Sequence, residues 1–279
     1  MKNHSSNHRR TIRNLTIFAF VAISAGWVGR LWGEPGQLLW LVAPLLSALL
    51  LRSFGGDGWK DFGLRLELKK SALWYAVSLV LFPLCAALII FTGCVLGLVT
   101  LPDVSPTRAA LFLHLTLLAL APSFFKNIFE EFAWRGYLAP RISSLGVHDL
   151  VGHVLVGLVW AAWHIPYYLF FLDRASFEAF TSKGFGIFFS MMFAGVAALS
   201  LVYGEIRLLS KSVWPVLLLH TVSNAVGNPL LLHGFIRVVP GADVFVSPEP
   251  GSVCSIIVYS LIGIGLYRFR KRKAVLKNL

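Results

Sequence analysis

Charged residues are scarce in this sequence, and acidic residues are the scarcest of them. Only 14% of the 279 residues are charged, with 13 Asp and Glu against 25 Lys and Arg. The hydrophobic fraction is 57%, whereas an ordinary soluble domain has roughly 45–50%. The positive residues cluster beside apolar runs and not on an aromatic-rich polar domain, which argues against a nucleic-acid partner. The composition therefore indicates an integral membrane protein whose surroundings are the lipid bilayer.

Several familiar catalytic and metal-binding motifs are also missing. The three cysteines, Cys85, Cys94 and Cys254, lie in apolar stretches without a CxxC pair, so they predict neither a disulfide framework nor a metal knuckle. The sequence contains no GxSxG nucleophile elbow and no HExxH zinc motif. No hydrophilic stretch is long enough for a soluble domain, and residues 1–279 are therefore predicted to form a single integral membrane domain.

Apolar runs long enough to cross a bilayer recur along the chain. A helix needs roughly 20 apolar residues to cross the hydrocarbon core. Spans of about this length are predicted at 14–32, 37–54, 72–99, 109–133, 150–172, 185–204, 212–232 and 252–269. The third span is long enough to tilt or to hold a break near Pro83. The charged segment 59–70 is predicted either to follow the membrane interface or to form a solvated loop. The fold class is thus all-α, a polytopic transmembrane bundle of about eight spans.

The loop charges predict the orientation of this bundle. Lys and Arg accumulate on the cytoplasmic side of membrane proteins, and most of them fall in the inside segments when the N-terminus is placed in the cytoplasm. An even number of spans then places both termini in the cytoplasm. The first apolar run resembles a signal peptide, but no A-x-A cleavage site follows it, so we expect a retained first span.

The fourth predicted span ends in an unusual cluster of charges, KNIFEEFAWR, at residues 126–135. Ionisable residues within a span are costly and mark functional sites. Glu130 and Glu131 point about 100° apart on a helix, so each needs its own partner. Residues four apart share a face, which lets Glu131 meet Arg135 and Lys126 meet Glu130. We expect Glu130 to point into the bundle as a general base, with a packing cluster of all four charges as the alternative.

Two further spans each carry a polar motif. His164 lies in the apolar run LVWAAWHIPYYLFF, two residues before Pro166, and His220 lies four residues before Asn224 on one helical face. Each motif alone is compatible with hydrogen bonding between helices. Together with Glu130 they predict a site around water or a substrate.

Two chemistries fit these four side chains. Glu130 can take a proton from water that a histidine orients, while Asn224 and a histidine stabilise the oxyanion. Alternatively, His164, His220 and Glu130 hold a zinc ion that itself acidifies the water. The residues leave both open, so the cofactor is unknown: zinc or none.

The three motifs resemble those of the CPBP intramembrane proteases, a family that includes the type II CAAX prenyl endopeptidases and the Abi or bacteriocin-processing proteins. The family pattern is EExxxR, FxxxH and HxxxN or HxxxD on successive spans. Here EEFAWR, WAAWH and HTVSN occupy those places, with Trp160 where the family usually has Phe. The resemblance also covers the DFGLR stretch and extends over a catalytic core of about residues 59–230.

This resemblance implies an endopeptidase that acts on a membrane-embedded or lipidated protein or peptide. The bond cleaved would lie beside a lipidated cysteine, such as a prenylated one, or in a peptide or a C-terminal sorting tail, as for many bacterial members. It implies that Glu130 activates water, that His164 binds or polarises this water, and that His220 with Asn224 stabilises the oxyanion. Glu131, Arg135 and Trp160 would support the site. The resemblance leaves the metal question open and favours a location in the bacterial inner membrane. The alternatives are a proton-coupled transporter or channel and a non-catalytic immunity protein of the same fold.

Overall fold

Helices account for nearly all the regular structure in the computed structural model, which describes residues 2–276. The apolar runs noted above are helical because no other backbone conformation satisfies its own polar groups inside a bilayer, short of a closed barrel. The α-helices in this part of the chain are α1 Lys2–Gly29, α2 Glu34–Ser53, α3 Leu68–Val95, α4 Pro106–Ala133, α5 Ala139–Ser143, α6 Asp149–Pro166, α7 Arg174–Phe180, α8 Phe185–Ser210, α9 Trp214–Leu232 and α10 Val253–Leu276.

Short elements join some of these helices. A π-helical turn at Trp134–Leu138 connects α4 to α5, and another at Tyr167–Phe171 extends α6. Turns of 3-10 helix occupy Arg30–Trp32 and Ala242–Val244. Two short antiparallel strands pair with each other, with Val99 opposite Val238; they are β1 at Val99–Thr100 and β2 at Arg237–Val238.

Eight helical segments of the described residues are long and apolar enough to cross a membrane. They coincide with the eight predicted spans, so the predicted all-α, multi-pass membrane fold is confirmed. Large apolar side chains such as Leu84 and Phe91 lie exposed on the outer surface of the bundle, as expected for helices that contact lipid tails. The cytoplasmic position of the termini stays a prediction.

Three local expectations need adjustment. The fourth span does not end at residue 133, because the π-helical turn carries it on to Ser143. Pro83 does not break α3, which stays helical around it, since neighbouring helices can compensate for a proline inside a membrane helix. Residues 54–67 form an irregular segment that packs onto the bundle: Phe62 is buried, and Arg207 Nη2 donates to the carbonyl oxygen of Asp61 at 2.8 Å.

The helices that carry the motifs pack through close contacts. Helix α4 packs along α9, and α6 packs along α8, which also contacts α9. At Gly157 of α6, an added Cβ atom would come within 2.7 Å of the Cα atom of Ala197 in α8. Small residues allow this close approach, because van der Waals packing holds helices together in lipid. The motif helices thus meet in one contiguous core.

A pair of tryptophans fastens α2 to α6. The rings of Trp40 and Trp163 stack with their centroids 4.0 Å apart and their planes at 10°. Trp40 Nε1 donates to the carbonyl oxygen of Trp163 at 2.8 Å, and Trp163 Nε1 donates to that of Trp40 at 3.0 Å. This reciprocal pair lies directly beside His164.

Candidate active site

Glu130 is buried at the end of α4 and is held from two sides. Its side chain forms an ion pair with Lys126 through Oε1, and Oε2 accepts a hydrogen bond from Trp160 Nε1 at 2.8 Å. The carboxylate therefore points towards α6, inside the bundle, as expected. It is less free than the sequence suggests, because Lys126 lies one helical turn away on the same face and compensates its charge.

Glu131 and Arg135 form the contact predicted from their spacing, with Arg135 Nη1 3.1 Å from Glu131 Oε1. Both side chains are fully buried. The guanidinium also donates to Ser200 Oγ at 3.2 Å, and its central carbon lies 4.3 Å from the ring centroid of Trp160. A buried charge needs such partners, because burial without them is costly.

The two histidines are oriented in similar ways. His164 Nδ1 lies 3.0 Å from the carbonyl oxygen of Trp160, one turn earlier on α6, and His220 Nδ1 lies 2.8 Å from Glu131 Oε1. A carbonyl or a carboxylate oxygen can only accept, so both Nδ1 atoms carry the proton. The Nε2 atoms then remain available for a substrate or a water molecule. The contact between His220 and Glu131 was not anticipated from the sequence.

Asn224 is positioned by an asparagine that sequence reasoning missed. Asn224 Nδ2 donates to Oδ1 of Asn127 at 3.1 Å, and Asn127 is completely buried. Asn127 lies three residues before Glu130 on α4, and this helical spacing was the signal that could have identified it. The amide of Asn224 keeps a second N–H group for another acceptor.

These side chains surround one cavity of about 330 Å³. His164, His220 and Asn224 contribute to its wall, as do Trp160 and Lys126. Glu130 lies behind this wall, bonded to Lys126 and Trp160. The structure thus brings the four predicted site residues together, three at the cavity surface and Glu130 immediately beneath it.

The cavity wall includes a further carboxylate, Glu249, in the loop between α9 and α10. Burial raises the pKa of this carboxyl group to about 7. No sequence motif marks Glu249 as a site residue, because only the tertiary fold brings this part of the loop to the cavity.

The arrangement does not fit the alternative zinc site. Among residues 2–276, no three His, Cys, Asp or Glu side chains are grouped so that they could hold a metal ion. Instead, Nδ1 of each histidine binds a protein oxygen, and the Glu130 carboxylate binds Lys126 and Trp160.

The comparison with known families agrees with this geometry. Residues 112–226 match the model of a family described as type II CAAX prenyl endopeptidase Rce1-like, and this range contains all four predicted site residues. A comparison with curated proteins gave no match. Site and match together define the class: the protein is a protease of the membrane. This match over residues 112–226 confirms the resemblance of the segment to the CPBP and CAAX proteases.

Proposed function

We propose that the chain hydrolyses a peptide bond within the membrane, with Glu130 as the general base. The observation that carries this proposal is the convergence of His164, His220 and Asn224, from α6 and α9, on one cavity beside Glu130 of α4. A general base, polar groups that orient water and donors for an oxyanion are what amide hydrolysis requires.

The first step activates a water molecule. A carboxylate offers about four acceptor positions, so Glu130 can bind water after using one position on each oxygen. Lys126 is partly exposed at the cavity wall, and its displacement by the substrate would give water access to Glu130 Oε1. His164 Nε2 accepts one hydrogen bond from this water and so orients it. Glu130 then takes a proton while the water oxygen bonds to the carbonyl carbon.

The second step requires stabilisation of the oxyanion and release of the amine. Asn224 donates its remaining N–H group to the oxyanion. In this step His220 carries a proton on both ring nitrogens, so that Nδ1–H donates to Glu131 and Nε2–H donates to the oxyanion. Such donors act strongly in a site that excludes bulk water. When the tetrahedral intermediate collapses, the C–N bond breaks and Glu130 returns its proton to the leaving nitrogen. Glu130, His164, His220 and Asn224 are the catalytic residues in this proposal, while Glu131, Arg135 and Trp160 position them.

The substrate is proposed to be a membrane-associated protein or peptide, including a lipidated one. The cavity lies between helices whose outer surfaces are apolar, so a substrate reaches it most directly from the bilayer or its interface. The family name specifies prenylated substrates for the family, and we extend this to the present chain only as a proposal. A location in the bacterial inner membrane stays a prediction.

Comparative mass spectrometry tests this function. Membrane peptides are compared between cells that produce the wild type and cells that produce Glu130→Gln at the same level. The proposal expects peptides with new termini that depend on Glu130. Identical peptide sets, together with ion flux in proteoliposomes, would instead support the transporter alternative.

A further inference from the structure

Glu249 is the one acidic side chain in the cavity wall besides the catalytic motifs, as far as the described residues show. It lies in the loop between Leu232 and Val253, beyond the end of the family match at residue 226. The mechanism proposed above gives it no role. Its position in the same cavity as His164 and His220 nevertheless places it where a bound substrate would pass.

Among the residues that the structure describes, the other charged side chains of this wall have partners, but Glu249 does not. Lys126 is paired with Glu130, and Lys183 donates to the carbonyl oxygen of Gly251 at 3.0 Å and lies 3.7 Å from Asp243. Within residues 2–276, the carboxyl group of Glu249 makes neither an ion pair nor a hydrogen bond. Glu249 is half-buried, and a carboxylate withdrawn from bulk water without a partner is costly, so this cavity is suited to a ligand that supplies a positive charge.

A glycine allows the carboxyl group to lie against α9. An added Cβ atom at Gly227 would come within 2.5 Å of Glu249 Oε1. The carboxyl group therefore occupies the space that any other residue at position 227 would fill. The contact with Gly227 therefore sets the position of the Glu249 carboxyl group along α9.

The distance along α9 relates Glu249 to the site of cleavage. Gly227 follows His220 by seven positions, which corresponds to about 10 Å at the helical rise of 1.5 Å per residue. An extended peptide covers about 3.3–3.6 Å per residue. A substrate chain that runs along α9 from the scissile bond would thus reach Glu249 after about three residues.

We propose that Glu249 is a specificity-determining residue that binds a Lys or Arg side chain of the substrate, about three residues from the scissile bond. This inference rests on the proposed endopeptidase function. It assigns a substrate class to the cavity: membrane-associated chains with a cationic residue close to the cleaved bond.

A peptide library tests the proposal directly. Synthetic peptides with randomised residues, each made with and without a farnesylated cysteine, are presented to the full-length protein in proteoliposomes. The products are sequenced by mass spectrometry. For the wild type we expect enrichment of Lys and Arg at one position about three residues from the cleaved bond. Glu249→Gln should reduce the preference for Lys over Gln there by about tenfold, the loss expected for one charged hydrogen bond.

Two further variants and a control sharpen the test. Glu249→Lys should shift the enrichment to Asp and Glu, and Gly227→Ala should weaken the cationic preference by displacing the carboxyl group. Glu178→Gln makes the same chemical change at an exposed residue of α7 and should leave the preference unchanged. Equal preferences in the wild type and all Glu249 variants would overturn this inference alone. A wild type without Glu130-dependent products would contradict the endopeptidase proposal itself.

Discussion

His220 Nδ1 lies 2.8 Å from Glu131 Oε1, and the same oxygen accepts a hydrogen bond from Arg135 at 3.1 Å. One buried carboxylate thus joins the imidazole of α9 to the guanidinium beyond the end of α4. The contact keeps a proton on Nδ1 of His220 and leaves Nε2 facing away from Glu131. Glu131 therefore acts on the cavity through His220, whereas its neighbour Glu130 is held in place by Trp160 and Lys126.

Loss of the general base should abolish most of the activity. Glu130→Gln preserves shape but cannot take a proton from water, so we expect kcat to fall by about 10²–10⁴-fold, the usual contribution of such a group. Single-turnover cleavage of a peptide identified by mass spectrometry measures the rate. Glu178→Gln provides the matched control, and an unchanged rate in a folded Glu130→Gln protein would refute the assignment.

The carboxylate of Glu131 should serve both stability and activity. Glu131→Gln leaves Arg135 without its charged partner, and we expect the free energy of unfolding to fall by about 3–5 kcal/mol. Adding Arg135→Met should restore part of the stability, because a buried ion pair can be replaced by packed apolar groups. Denaturant unfolding in detergent measures both changes.

The cleavage rates of the same two variants distinguish the role of Glu131 in orienting His220 from its role in stability. The double variant still lacks the acceptor for His220 Nδ1, so its cleavage rate should stay low although its stability recovers. Recovery of both properties together would show that Glu131 contributes only to packing.

Asn224 should affect the chemical step more than substrate binding. Asn224→Ala removes an oxyanion donor, so we expect kcat to fall by about 10²–10³-fold with a smaller change in KM. Asn228→Ala, one helical turn further along the same cavity wall, is the control and should retain most of kcat. A larger effect on KM than on kcat for Asn224→Ala would argue against the oxyanion role.

Glu249 should make stability depend on pH. Its pKa is raised from 4.5 to about 7 by burial, so the folded protein binds the proton more tightly than the unfolded chain. Stability associated with this group is present at low pH and is lost as pH rises from about 4.5 to 7. The phenols of Tyr168 and Tyr259 lie close enough to be affected by the charge of Glu249, and Lys183 lies on the same cavity wall.

Thermal unfolding in detergent at pH 5 and pH 8 measures this dependence. Glu249→Gln cannot ionise, so it should unfold at a higher temperature than the wild type at pH 8 and at nearly the same temperature at pH 5. Glu178→Gln should match the wild type at both values. If the unfolding temperatures of Glu249→Gln and the wild type differ by the same amount at pH 5 and pH 8, the ionisation of Glu249 does not cause the difference.

The membrane fold could be predicted from the sequence because the length of each apolar run is a local property of the chain. Each span is a continuous run, and contacts such as that of Glu131 with Arg135 follow from helical spacing alone. The ends of the spans were less accessible, since the π-helical turn after Ala133 depends on how residues 134–138 pack within the bundle.

The composition of the site was predicted better than its internal connections. Helical spacing allowed Lys126 to meet Glu130 but could not show that the ion pair would form. The position of the Glu130 carboxylate also depends on Trp160 of α6, which binds its other oxygen. The contacts of His220 with Glu131 and of Asn224 with Asn127 join different helices and have no local signal. Glu249 depends on the path of a loop, which is the least predictable element from sequence.

The reciprocal hydrogen bonds between Trp40 and Trp163 restrict how the cavity can open. Because each indole reaches the other's backbone, α2 cannot slide along α6 without breaking both bonds and the ring stack between them. A sideways movement of α2 that keeps the bonds must carry Trp163 with it, and His164 is the next residue. Any opening of the bundle to the lipid on this side would therefore also displace the imidazole, coupling admission of a substrate to the geometry of the catalytic histidine.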